Sequence, residues 1–130
     1  MKKKILFIIA DYYKDISNDL LKSTLNNLNK KHYSIKILKV PGVFEIPVTI
    51  SRNINKYNGF IALGCVIKGQ TPHFDFISQS ATDAIMKLSI SSKKPIGNGI
   101  ITCLNKKQAI ARGKKGLEAS EAVKVVLTNK

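Results

Sequence analysis

The residues with chemistry to offer gather on one short stretch, Gln70-Thr71-Pro72-His73. Thr-Pro reads as a helix start. Thr71 fits the N-cap, Pro72 the first helical position, and Asp75 suits the positive end of the helix dipole. The N–H groups of Gln70 and Thr71, with the Thr71 hydroxyl, make an anion site at such a terminus. His73 then lies where a helix N-terminus and a bound phosphate act in opposite senses on an imidazole, a balance suited to proton transfer. The plainer alternative is a well-capped helix with a solvent-exposed first-turn histidine. Arg112 is one of only two arginines, with Arg52, in a chain whose other basic residues are lysines. A planar guanidinium matches a phosphate better than an ammonium does. Glu45 could accept hydrogen bonds from a polyol or an amine, or could simply complement a helix dipole. Tyr12 or Phe44 could stack on a flat heterocycle or pack into the core. His32 sits in a surface loop, Lys30-Lys31-His32-Tyr33, and receives no role. No Ser-His-Asp constellation, Walker loop or G-x-G-x-x-G fingerprint is present.

These groups need a scaffold, and the apolar pattern supplies one. Lys4 to Ile9 is a continuous apolar run of strand length, as expected for a strand buried on both faces of a parallel sheet. Leu21, Leu25 and Leu28 recur at helical spacing, so residues 17–31 read as an amphipathic helix, with Ser17 or Asp15 as its cap. Ser34 to Val40 reads as a second strand nearer an edge. Pro41-Gly42 is a turn, Glu45 to Tyr57 a helix, and Asn58-Gly59 its left-handed stop. Phe60 to Ile67 is the third strand, and a helix follows from Pro72 to about Ile90. Ile96 to Cys103 is the fourth strand, where Gly97 and Gly99 mark a close approach to the backbone. Asn105 to Arg112 and Leu117 to Thr128 are the last helices. The order is βα repeated four times with one extra helix, which predicts an α/β three-layer αβα sandwich on a four-stranded parallel sheet, flavodoxin-like. Ligands in such folds bind beyond the carboxyl ends of the strands. Those ends are the loops after Ile9, Val40, Ile67 and Cys103, which carry all the groups singled out above.

The bulk properties narrow the field. The chain has 130 residues, the size of one domain spanning 1–130, and 44% hydrophobic content is enough for a core. No apolar run approaches the ~20 residues of a membrane span. The start, Met-Lys-Lys-Lys and a short apolar run, is followed by Asp11-Tyr12-Tyr13-Lys14 rather than a small-residue cleavage site. It therefore reads as a first strand in a cytoplasmic protein. Cys65 and Cys103 each sit in an apolar run and read as buried, reduced thiols rather than a disulfide or metal site. The net charge of +14 suggests an anionic partner. However, it is carried by lysines spread through the chain, with no Arg and aromatic cluster, so no specific nucleic acid is expected.

Three stretches then resemble a known family. They are Val40-Pro41-Gly42-Val43-Phe44-Glu45-Ile46-Pro47, the run ALGCVIKGQTPHFD from Ala62 to Asp75, and Asn98-Gly99-Ile100-Ile101-Thr102 with Asn105 and Gln108-Ala109. Together they are similar to the 6,7-dimethyl-8-ribityllumazine synthase family, over about Lys4 to the C-terminus. The resemblance implies a transferase of riboflavin biosynthesis that condenses 5-amino-6-(D-ribitylamino)uracil with 3,4-dihydroxy-2-butanone 4-phosphate. It implies no cofactor and no metal. His73 would transfer protons. Gln70 and Thr71 would bind the ketone phosphate, with Arg112 as its cationic clamp. Tyr12 would lie against the pyrimidine, and Val43, Phe44, Glu45, Cys65, Val66 and Ile67 would hold that ring and its ribityl chain. Asn98 stands where many relatives carry a Phe contributed by the neighbouring subunit of a homo-pentamer. Lys68 replaces the usual Arg before Gly69, Leu104 replaces a usual acid, and the segment between Arg112 and Lys115 is about five residues shorter than in many relatives. The last two motivate an alternative, a homologue of the same fold that binds lumazine or forms shells with impaired catalysis.

Overall fold

The computed structural model describes residues 2–129. Four strands, β1 (Lys3–Ala10), β2 (Tyr33–Val40), β3 (Gly59–Ile67) and β4 (Ile96–Cys103), form one sheet in the order β2-β1-β3-β4. Every pairing is parallel. Helices α1 (Lys14–Asn26), α2 (Ile46–Asn53), α3 (His73–Ser92), α4 (Lys106–Ala111) and α5 (Lys115–Thr128) connect or follow the strands, and a 3-10 turn (Val43–Glu45) precedes α2. The α/β three-layer arrangement expected from the sequence is the one found.

The continuous apolar runs have a direct cause. β1 and β3 are the two inner strands, so both of their faces are covered. Ile5, Phe7 and Ile9 enter one core with Ile16, Leu20, Ala119 and Val123 from α1 and α5. Leu6, Ile8 and Ala10 enter the other with Ile46, Ile50, Ala81 and Ile85 from α2 and α3. β2 is an outer strand, and its exposed Lys36 and Lys39 fit that place.

Several local expectations are corrected. The first helix spans Lys14–Asn26, not 17–31, and has Tyr13 at its N-cap with no side-chain cap. Ser17 is buried instead, its hydroxyl donating to the Ala10 carbonyl at 2.7 Å, which ties α1 to the end of β1. The helix expected over 45–57 divides into the 3-10 turn and α2, which ends at Asn53. Asn58-Gly59 is not a helix stop, because no glycine among the described residues has a positive φ. Asn58 joins the sheet: its N–H donates to the Lys4 carbonyl at 2.8 Å and its Oδ1 accepts from the Lys4 N–H at 2.7 Å. Gly97 and Gly99 do mark a close approach, by the protein's own α5 at Gly97 and by the neighbouring strand β3 at Gly99. A Cβ at Gly97 would collide with the Ala119 carbonyl, and one at Gly99 would lie 2.6 Å from Leu63 Cδ2. No helix among the described residues is long and apolar enough to cross a membrane.

Candidate active site

The strand order reverses direction at β1 and β3, and the carboxyl ends of these two strands open into a cleft of about 780 Å³. This is the switch point at which open α/β sheets take their ligands. Tyr12 and Tyr13 reach it from the loop after β1, and Gly42 to Glu45 from the turn after β2. Cys65, Val66 and Ile67 line it from the end of β3, and His73, Phe76 and Ile77 from the start of α3.

The rim is aromatic and exposed. Tyr12 is 75% and Phe44 69% accessible, far above what large apolar rings show when packed for stability alone. The Tyr12 and Tyr13 rings meet edge to face, with centroids 4.9 Å apart. Behind the rim, Val43 is buried against the β3 backbone at Gly64, where a Cβ would lie 3.0 Å from Val43 Cγ2. Glycine there lets the 3-10 turn sit close to the strand. Glu45 caps no helix with its side chain, and its carboxylate lies over Gly42, 3.3 Å from where a Cβ would be. The ion pairs among the described residues are Lys115–Glu118 and Lys124–Glu121, so the Glu45 carboxylate remains free for a ligand. The floor is thiol: burial, and then the neighbouring Cys103 thiol, push Cys65 up to about 12, so it stays protonated and apolar. Tyr13 is raised as well, by burial first and then by Tyr12 and Cys65.

The expected Thr71 cap is present in part, with the helix start shifted. α3 begins at His73 with Pro72 in the N-cap position, one residue later than expected, and the Thr71 hydroxyl still accepts a long hydrogen bond, 3.4 Å, from the His73 N–H. Beyond that one long bond, the first N–H groups of α3 have no side-chain partner and can face an anion. Gln70 and Thr71 are exposed on the loop beside it, outside the cleft lining. Arg112 stands at the end of the adjacent strand. Its Nη1 donates to the Thr102 carbonyl at 2.9 Å and lies 4.0 Å from Cys103 Sγ. The Lys68 N–H donates to the Cys103 carbonyl at 2.8 Å, so the Gln70-Thr71 loop leaves the sheet at this same strand end. Asn98 is set apart. On the outer strand β4 it is exposed and pairs with Ala62 of β3, its Oδ1 accepting from the Ile100 N–H at 3.0 Å.

One chain therefore assembles Tyr12, Val43, Phe44, Glu45, Cys65, Val66, Ile67 and His73 into a cleft, and holds Gln70, Thr71, Arg112 and Asn98 outside it. Sequence reasoning put Tyr13 on the right loop without a role, and missed Gly42, Phe76 and Ile77 as lining residues. Phe76 and Ile77 follow His73 by three and four positions, the spacing that shares a helix face, and could have been found that way.

A family model described as 6,7-dimethyl-8-ribityllumazine synthase matches residues 2–129. The chain belongs to the 6,7-dimethyl-8-ribityllumazine synthase family. It is similar to the 6,7-dimethyl-8-ribityllumazine synthase of Bartonella bacilliformis, 41% identical over 86% of this chain and 76% of that protein. The one from Bartonella tribocorum is 40% identical over 94% of this chain and 87% of its own length. That of Vesicomyosocius okutanii is 38% identical over 97% and 84%. The two stretches most like lumazine synthase in sequence, Val40 to Pro47 and Ala62 to Asp75, supply most of the cleft's lining. No group of three or more His, Cys, Asp or Glu side chains able to hold a metal occurs among the described residues.

Proposed function

We infer that the protein carries out the lumazine synthase reaction of riboflavin biosynthesis, as a transferase. 5-Amino-6-(D-ribitylamino)uracil condenses with 3,4-dihydroxy-2-butanone 4-phosphate; phosphate and water leave, and the 6,7-dimethyl-8-ribityllumazine ring closes. The observation that carries this reading is the match of the family model over residues 2–129.

The geometry supports a division of labour. A flat pyrimidinedione fits between the exposed Tyr12 and Phe44 rings. Its ribityl hydroxyls meet the free Glu45 carboxylate, and Val43 and the β3 end at Cys65, Val66 and Ile67 form the wall. The phosphate sits at the open N-terminus of α3 with Gln70 and Thr71, and Arg112 clamps it. His73, on the first turn of α3, then stands beside both reactants and moves protons as the imine forms and phosphate departs. Most of the acceleration comes from holding two reactants together, for which no organic cofactor or metal is required.

Asn98 lies on the uncovered β4 edge and serves a neighbouring subunit's cleft, so the working unit is a homo-pentamer at least. Residues 1–130 act as one domain, in the cytoplasm. The deciding experiment mixes both substrates with purified protein and follows lumazine absorbance. Turnover well above the slow spontaneous reaction is expected; its absence from a folded, assembled preparation would refute the reading.

A further inference from the structure

The segment from Thr102 to Arg112 is tied at both ends in a way that chain connectivity alone does not require. α4 has six residues, far too few to persist as a helix in water without anchors. It has little burial to hold it either: Ala109 is its one buried residue, and Ile110 is 58% exposed. Hydrogen bonds hold it instead. Asn105 is the N-cap, in extended conformation, and its Oδ1 accepts from the Gln108 N–H at 2.9 Å. The Gln108 side chain reaches back past the cap, its Oε1 accepting from the Leu104 N–H at 2.8 Å. The two side chains thereby fix the corner between β4 and α4, a reciprocal cap displaced by one residue from the usual box. At the far end, the Arg112 N–H donates to the Gln108 and Ala109 carbonyls, at 3.1 and 3.2 Å. The Arg112 side chain then returns to its starting strand, donating to the Thr102 carbonyl. The result is a closed clasp in which one guanidinium N–H is committed and most of its five donors remain free.

We propose that Asn105 and Gln108 are positioning residues, which hold Arg112 in place for the phosphate of the four-carbon substrate. This rests on the reading of Arg112 as the phosphate clamp. Because α4 gives one core only the small side chain of Ala109, removing a cap loosens the guanidinium and leaves the sheet and the aromatic cleft intact. The cost should fall on one substrate only.

The test is steady-state kinetics with each substrate varied in turn. Asn105→Ala and Gln108→Ala should each raise KM for the ketone phosphate by about 3- to 20-fold, the scale of a lost cap. KM for the pyrimidine should stay within about twofold. Asn105→Ser, which keeps a neutral acceptor oxygen at the cap, should restore most of the first KM. In an Arg112→Ala background, Asn105→Ala should add no further rise. An unchanged ketone-phosphate KM in both alanine variants would overturn the proposal. So would an equal loss for both substrates tracking a fall in Tm, since that is what a merely structural cap gives. If Arg112→Ala itself leaves this KM unchanged, the clamp reading falls and the proposal with it. A raised KM in Arg112→Ala alone, with none in either cap variant, overturns the positioning role only.

Discussion

At the scale of single residues, His73 carries the sharpest expectation. It lines the cleft on the first turn of α3, where its own N–H donates a long bond to the Thr71 hydroxyl. As a proton-transfer group in a reaction driven largely by proximity, it should account for a modest part of the rate. His73→Ala should lower kcat by about 10- to 100-fold and leave both KM values within a few-fold. Unchanged kcat would remove it from the mechanism. Cys65 gives a second expectation, with a definite sign. Its thiol is held near 12 by burial and by Cys103, against roughly 8.5 in an unfolded chain. The stabilisation from keeping it neutral is complete below about pH 8.5 and is lost as pH rises toward 12. At about pH 8, native protein should therefore resist iodoacetamide at Cys65, and urea-unfolded protein should label at both cysteines. Mass spectrometry reads the difference, and prompt native labelling of Cys65 would contradict the burial argument. The roles that spacing could reach at this scale were those written in residue type: a Thr-Pro-His start, a rare arginine, a lone glutamate beside Phe44. Tyr13 escaped because two adjacent loop aromatics look alike in sequence, and only the path of the chain after β1 shows that both rings reach the cleft.

At the scale of elements, the inner strands were legible because burial on both faces removes alternation, and β1 and β3 are the two such strands in the sheet. Helix ends were not. Ser17, Thr71 and Asn58 are all competent caps or stops, yet Ser17 serves the Ala10 carbonyl and Asn58 the Lys4 backbone. Those two were drawn away by partners distant in sequence or outside their own helix, which local propensity cannot register, whereas Thr71 keeps its local bond to the His73 N–H. The β4 glycines show the same limit: the meaning of Gly97 depended on how close α5 comes, and that of Gly99 on Leu63 of β3. That closeness is testable. Gly97→Ala drives a Cβ into the Ala119 carbonyl, with Ala119 C at 2.9 Å and Val123 Cγ2 at 3.0 Å. Backbone cannot yield as a flexible side chain does, so a loss of about 3 kcal/mol is expected in urea unfolding. Gly69→Ala meets nothing within 4 Å and should shift stability by less than about 0.5 kcal/mol. Equal effects at the two positions would mean that α5 does not press on β4.

At the scale of the whole molecule, the two sheet edges differ in kind. β2 presents Lys36 and Lys39, charges of the sort that keep an edge from pairing with other chains. β4 carries no charge along its length, reading IGNGIITC, and leaves Asn98 and Thr102 exposed. The edge open to association is thus the one bearing Asn98, which lies outside its own chain's cleft. If clefts are completed by a neighbour's β4, activity per chain must depend on assembly. The assembled species should have a mass of five times 14.4 kDa, or a multiple of it. On serial dilution, turnover per chain should fall together with the loss of that species, followed by mass photometry on the same samples. Asn98→Glu places a carboxylate on the uncharged edge, so both curves should move to higher concentration by about tenfold, the scale of one unfavourable interfacial charge. Lys36→Glu, on the opposite edge, should move neither. Full turnover from a solution of monomers would show that one chain's cleft is sufficient and that Asn98 has no part in it. A shift with Lys36→Glu and none with Asn98→Glu would place the contact on the β2 edge instead.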